Sequence, residues 1–127
     1  MVAGKSYTVL VPAPDLDGND VAGVRAPMVA APLGTYTGWN LRAPGFGHGA
    51  LLRFEGSSIP FAATESERRI TGDPRPSVAE RYPAESAYVE AIRTAGRGLV
   101  AAGFMLEEDV ERCAAAAANW SAPRHSF

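Results

Sequence analysis

The chain has 127 residues, 46% of them hydrophobic, with 12 basic and 14 acidic side chains and a formal net charge of −2. That is one domain's worth of apolar-enough material, either a single domain or a fragment of one, and it excludes intrinsic disorder. The near-neutral charge gives no electrostatic basis for a nucleic-acid or anionic-membrane partner, and no run approaches the roughly 20 apolar residues of a membrane span.

The N-terminus, MVAGKSYTVLVP, lacks the long apolar region and cleavage signal of a secretory peptide, and the sequence assigns no compartment. Tyr7 to Val11 (YTVLV) is β-branched and aromatic and predicts a strand closed by Pro12. The turn cluster DLDGND, Asp15 to Asp20, follows, and Val21 to Arg25 has strand character again. The two runs predict a hairpin with a long acidic tip. Met28 to Leu33, interrupted by Pro32, reads as an edge strand or extended segment.

Gly34 to Gly49 (GTYTGWNLRAPGFGHG) has neither helical nor strand period. It reads as a structured loop whose Tyr36, Trp39 and Phe46 pack onto something larger. Leu51, Leu52 and Phe54 add a short strand. The stretch from Gly56 to Tyr82 then acts as a rigid connector. Thr64 with Glu67, and Ser77 with Glu80, each have the spacing of a capping box. Gly72 is placed to end the first of these helices, and Asp73-Pro74 and Arg75-Pro76 bar its continuation. Phe61 is an anchor for the first cap. The alternating charges from Glu65 to Arg81 read as a solvated face.

From Ala84 the apolar positions Tyr88, Ile92, Ala95 and Leu99 recur at helical steps, and Gly103 is the stop. A second helix runs from about Glu107 to Asn119, with three acidic residues in its first turn and Leu106, Val110, Cys113, Ala114 and Ala117 as its buried stripe. The expected fold class is α+β: short N-terminal strands in a hairpin, a long ordered loop, then a C-terminal helical hairpin. The expected division is a strand-and-loop half over 1–63, a helical half over 64–120 and a tail over 121–127.

Few residues suggest chemistry. Asp15, Asp17 and Asp20 offer oxygens, but the glycine and glutamate positions of a calcium loop are not met, so a turn is the better reading. His48, in a glycine-rich loop, is the one candidate catalytic base. Its nearest hydroxyls, Ser57 and Ser58, lie in GSSIP, which is not a G-x-S-x-G elbow. His48 and His125 make a poor zinc pair, Cys113 is the sole cysteine and reads as structural, and GFGHG matches no phosphate-binding fingerprint. No metal or cofactor is expected. Tyr36, Trp39, Asn40 and Phe46 are the candidate ligand-binding or packing loop.

Several longer motifs occur in a fixed order: DxDGNxVAGVRxP, PLGTYTGWNLR, SxIPFAxTxxER and GDPRPSxxERY. Together they span about Tyr7 to Asn119, and the stretch resembles the C-terminal region of the alpha/beta hydrolase domain family of larger bacterial proteins. The resemblance implies a hydrolase, a serine esterase or a relative, built on a mostly parallel sheet. It also implies that the nucleophile elbow lies upstream, so no catalytic residue is carried over and this chain alone is not expected to catalyse. On this reading the chain is an accessory layer packed on a hydrolase core, with Val29, Leu33, Tyr36 and Trp39 seeking that surface. The other expectation is a small binding or self-assembly module derived from the same segment, which would self-associate through its exposed apolar patch.

Overall fold

The computed structural model describes residues 10–52 and 55–119. Its elements run α1 (Pro27–Ala30), β1 (Gly34–Thr37), β2 (Ser57–Pro60), α2 (Glu65–Thr71), α3 (Val78–Arg81), α4 (Glu85–Ala101) and α5 (Glu107–Ala118). The class is α+β with a C-terminal helical hairpin, as the sequence predicts.

Local chemistry accounts for the helix boundaries. The Thr64 hydroxyl accepts from the Glu67 amide at 3.3 Å, while the Glu67 carboxylate accepts from the Thr64 amide. Ser77 and Glu80 repeat the arrangement at the start of α3. Each box satisfies amides that a helix start leaves without partners, a contribution of about 1 kcal/mol. Gly72 ends α2 in the left-handed conformation, at φ 68°. The Val78 and Ala79 amides then donate to the Ala62 and Ala63 carbonyls, which folds α3 back beside the entry to α2.

Helices α4 and α5 form an antiparallel pair with a small-residue seam. A Cβ added at Gly96 would meet both Val110 methyls at 3.3 Å, so the glycine sets how closely the helices approach. The core cluster combines Tyr88, Val89 and Ile92 of α4, Ala114 and Ala117 of α5, and Ala31 and Leu33 from the segment after α1. Burial of the larger apolar side chains contributes about 1.5–3 kcal/mol each. The Tyr82 ring packs edge-on to Tyr88 with centroids 5.2 Å apart, and its hydroxyl donates to the Pro32 carbonyl at 3.1 Å. No helix among the described residues is long and apolar enough to cross a membrane.

The strand pairing lies elsewhere than the sequence suggested. β1 and β2 pair antiparallel, from Gly34 opposite Pro60 to Thr37 opposite Ser57. Four residues each are too short to display a period of two, so neither strand is legible in the sequence. The predicted strand Tyr7 to Val11 lies partly outside the described residues, and Leu10 and Val11 are exposed without regular structure. Val21 to Arg25 is not a strand either. The expected hairpin reduces to a single bridge between Pro14 and Asp20. Arg25 explains this, since its guanidinium reaches back to Asp15 at 2.7 Å and to the Val29 carbonyl at 2.9 Å, bending the chain away from an extended path.

Met28 to Leu33 begins in the one-turn helix α1, with Pro27 at its first position, where a missing amide costs nothing. Leu51 forms only an isolated bridge, opposite Leu41, and Phe54 lies outside the described residues. Leu106 caps α5 and is exposed, so it is not part of the buried stripe.

Candidate functional site

The loop between β1 and β2 carries the residues that the sequence marks as a contact surface. Its base is locked by hydroxyls: Thr37 Oγ1 donates to the Trp39 carbonyl at 2.6 Å and lies 2.5 Å from Ser57 Oγ. Beyond it the chain makes a small hairpin. The Leu52 amide donates to the Asn40 carbonyl and the Arg42 amide to the Ala50 carbonyl, both at 2.9 Å. Gly45, Gly47 and Gly49 turn its tip at φ 88°, 81° and 80°, a region that side chains strongly disfavour. Trp39, Leu41, Phe46 and Leu51 all face solvent from this ordered excursion.

Of the loop candidates, Tyr36 belongs to β1 and is half-buried, and burial raises its phenol pKa above the ordinary value. Asn40 is half-buried, and its side-chain oxygen accepts from the Leu41 amide at 2.8 Å. His48 is exposed at the hairpin tip and forms no hydrogen bond or ion pair with an acid among the described residues. The structure therefore groups Trp39, Asn40 and Phe46 on one hairpin, and among the described residues no acid is paired with His48.

On the far side of the sheet lies a polar cluster with no counterpart in the sequence reading. Asn19 is fully buried. Its amide nitrogen donates to the Gly34 carbonyl at 3.1 Å, and its oxygen accepts from the Tyr36 amide at 2.7 Å. One side chain thus supplies the outer edge of β1 with the two bonds a neighbouring strand would make. The loop presenting it is wound by Asp15, whose Oδ1 accepts from the Asp17 and Asn19 amides, both at 2.9 Å. Burial acts to raise the Asp15 pKa, but these amides and Arg25 outweigh it and hold the carboxyl below its ordinary value.

Thr35 Oγ1 donates to the Asp17 carbonyl and accepts from Arg75 at 2.8 Å. Arg75 also donates to the Ile59 and Pro60 carbonyls and is ion-paired with Asp73. Arg81 pairs with Asp17, and both arginines lie against the ring of Phe61. Arg68 joins α2 to α3 by bonds of 2.8 and 2.9 Å to Glu80. Arg68 and the Ser77 hydroxyl hold the Glu80 carboxyl down to about 2.

The charge run expected to be a solvated face is therefore in part a structural lock. The signal that could have found it is DLDGND itself, since an Asp-x-Asp-Gly-Asn turn presents several acceptors toward one side.

These bonds limit the chemistry available. Ser57 is tied to Thr37 and Trp39, and Ser77 is a buried helix cap donating to Glu80 at 2.7 Å. Asp15, Asp17, Asp73 and Glu80 are each engaged by an arginine. No group of three or more His, Cys, Asp or Glu among the described residues could hold a metal ion. Cys113 is half-buried and borders an apolar cleft of about 270 Å³ between α1, α4 and α5, with Met28, Tyr88 and Ile92. The arrangement is suited to holding shape and presenting an apolar surface, and among the described residues it brings together no nucleophile–base pair.

A model of the alpha/beta hydrolase domain family matches residues 2–115. No curated protein and no solved structure matches the chain.

Proposed function

The chain belongs to the alpha/beta hydrolase domain family, and from that premise we propose that it is an accessory layer of an ester hydrolase that braces the catalytic body without supplying its nucleophile. The observation that carries this reading is the commitment of polar groups around the sheet: Ser57, Ser77, Thr35, Thr37, Asp15, Asp17, Asp73 and Glu80 serve in caps, turn and edge bonds and ion pairs. The sequence holds no G-x-S-x-G turn. A nucleophile elbow with its oxyanion hole would then come from another part of the polypeptide.

The test is active-site labelling. A fluorophosphonate applied to the purified 127-residue chain should leave its mass unchanged. Labelling at Ser57 or Ser58 would overturn the reading. The intact mass of the native product complements it: a value several times the 13.4 kDa of this chain is expected.

A second reading draws on the exposed Trp39, Leu41, Phe46 and Leu51. The chain would be a stand-alone binding or self-assembly module, and light scattering would find a dimer or larger species. A native mass of 13.4 kDa with such self-association would favour it over the first reading.

A further inference from the structure

We propose that the β1–β2 ladder is closed on both edges by side chains of its own chain, and that the DLDGND loop is an autoinhibitory cover over β1. With Asn19 in place, the β1 edge is not open to the β1 of a second copy as a third strand. The cover works in the same way whether the chain stands alone or forms part of a larger protein.

In an antiparallel pair, opposed residues alternate between those that bond each other and those whose N–H and C=O point away toward a next strand. Gly34 and Tyr36 are of the second kind, since their outward groups bond to Asn19. Pro60 and Ser58, opposite them, therefore point away on the far side of β2. Pro60 has no N–H to offer, and its carbonyl accepts from Arg75 Nη2 at 3.2 Å. Within β2, Ser58 is left as the one complete donor–acceptor position on that side, which is too short an edge for a stable added strand.

The cover is fitted closely to β1. A Cβ at Gly18 would lie 2.9 Å from Thr35 Cγ2, and Gly18 has φ +80°, so a glycine is what lets the loop approach the strand. Asn19, fully buried, then spans the edge with its donor and its acceptor. The Thr35 hydroxyl ties the two closures together, donating to the Asp17 carbonyl of the loop and accepting from Arg75 Nη1 at 2.8 Å. The covered edge is also self-complementary. A two-fold axis at Thr35 sets Gly34 of one copy opposite Tyr36 of the other, so each Tyr36 N–H meets a Gly34 carbonyl. Those are the two groups that Asn19 occupies. An uncovered strand edge is a template for pairing with another chain, so the same bonds go either to Asn19 or to a second copy.

The experiment pairs amide hydrogen exchange on the unaltered 127-residue chain with light scattering of variants. The Tyr36 amide should exchange within about ten-fold of the Thr35 amide in the ladder, and the Ser58 amide about a hundred-fold faster than either. A Tyr36 amide as fast as that of Ser58 overturns the cover. Asn19→Ala, with its helical circular dichroism retained, should show a mass about two-fold or more above the unaltered chain at the same concentration. Asn19→Ala with Tyr36→Pro removes the outward amide and should return to the mass of the unaltered chain. Asn19→Ala with Tyr36→Ala loses the same ring, keeps the amide and should stay associated. An unchanged mass for helical Asn19→Ala, or equal masses for the two double variants, overturns the proposal. Should Asn19→Ala lose its helical signal, the exchange rates of Tyr36 and Ser58 in the unaltered chain decide alone.

Discussion

Arg81 and Asp17, 64 positions apart, meet as a two-point ion pair, with Nη1 donating to Oδ2 at 2.8 Å and Nη2 to Oδ1. The Arg81 guanidinium lies 4.2 Å from the centre of the Phe61 ring, and Arg75 approaches the same ring at 5.1 Å. Three distant segments are joined there: the DLDGND loop, the exit of β2 and the helix α3. Both charged side chains keep some contact with water, at 17% and 15% exposure, so the pair sits between a surface bridge and a buried one.

Removing one partner leaves the other mostly shielded and uncompensated. Arg81→Ala should lower stability by about 2 kcal/mol, below the loss for a fully buried pair because of the remaining solvent. The urea midpoint should fall with an unchanged slope. Arg81→Lys should recover less than half, since an ammonium cannot make both bonds. A double-mutant cycle with Asp17→Ala should give a coupling above about 1 kcal/mol. Simple additivity would show that the contact contributes nothing specific.

Asn19→Ala should be comparably damaging. It leaves the Gly34 carbonyl and the Tyr36 amide without their bonds at a fully buried position, a loss of about 2 kcal/mol. Asn19→Asp keeps the acceptor for Tyr36 but places a charge where no donor to Gly34 remains. Its deficit should be larger at pH 7 than at pH 5, where protonation restores a donor, and paired thermal melts will read the difference.

Two glycine substitutions should act with opposite signs. A Cβ at Gly34 would lie 2.7 Å from the Ile59 carbonyl oxygen and 2.9 Å from the Pro60 Cα, so Gly34→Ala must open the β1–β2 pair. A loss of about 1–3 kcal/mol is expected. Gly98 in α4 meets nothing within 4 Å. Gly98→Ala should stabilise by up to about 1 kcal/mol, seen as a raised Tm.

Stability should fall in acid over a defined range. The Glu80 carboxyl is held down to about 2 by Arg68 and Ser77. Asp73 is lowered by Arg75, and Asp15 is lowered by amides and Arg25 against the opposing effect of burial. Carboxyls depressed in the folded state contribute stability that is complete above their unfolded pKa, about 4, and is lost as pH falls through the folded value. Tm should therefore be flat from about pH 7 to 5 and drop between about 4 and 2. Glu80→Gln should flatten part of that drop. A Tm that rose on acidification across this range would contradict the assignment.

The residues legible in the sequence are those whose partners are close along the chain. Thr64 with Glu67 and Ser77 with Glu80 act across three residues, and Gly72 and Gly103 act on their own backbone, so local chemistry determined where α2 and α3 begin and where α2 and α4 end. The apolar steps through Tyr88 and Ile92, and through Val110, Ala114 and Ala117, likewise determined the helical hairpin, because a helix returns to one face every three or four residues.

Tertiary structure alone decided the rest. Gly34–Thr37 became a strand only by meeting Ser57–Pro60, some 20 positions away, and Val21 to Arg25 failed to become one because Arg25 found Asp15 and Val29. Asn19 is ordinary in a turn, yet here it closes the edge of β1. The run from Glu65 to Arg81 has the pattern of a solvated face, although Arg75 and Arg81 are held between Phe61 and the DLDGND loop. A side chain that bonds across long sequence separation has its partner chosen by the folded path of the backbone. No local period records that choice, which is why the helices could be read from the chain and the polar lock could not.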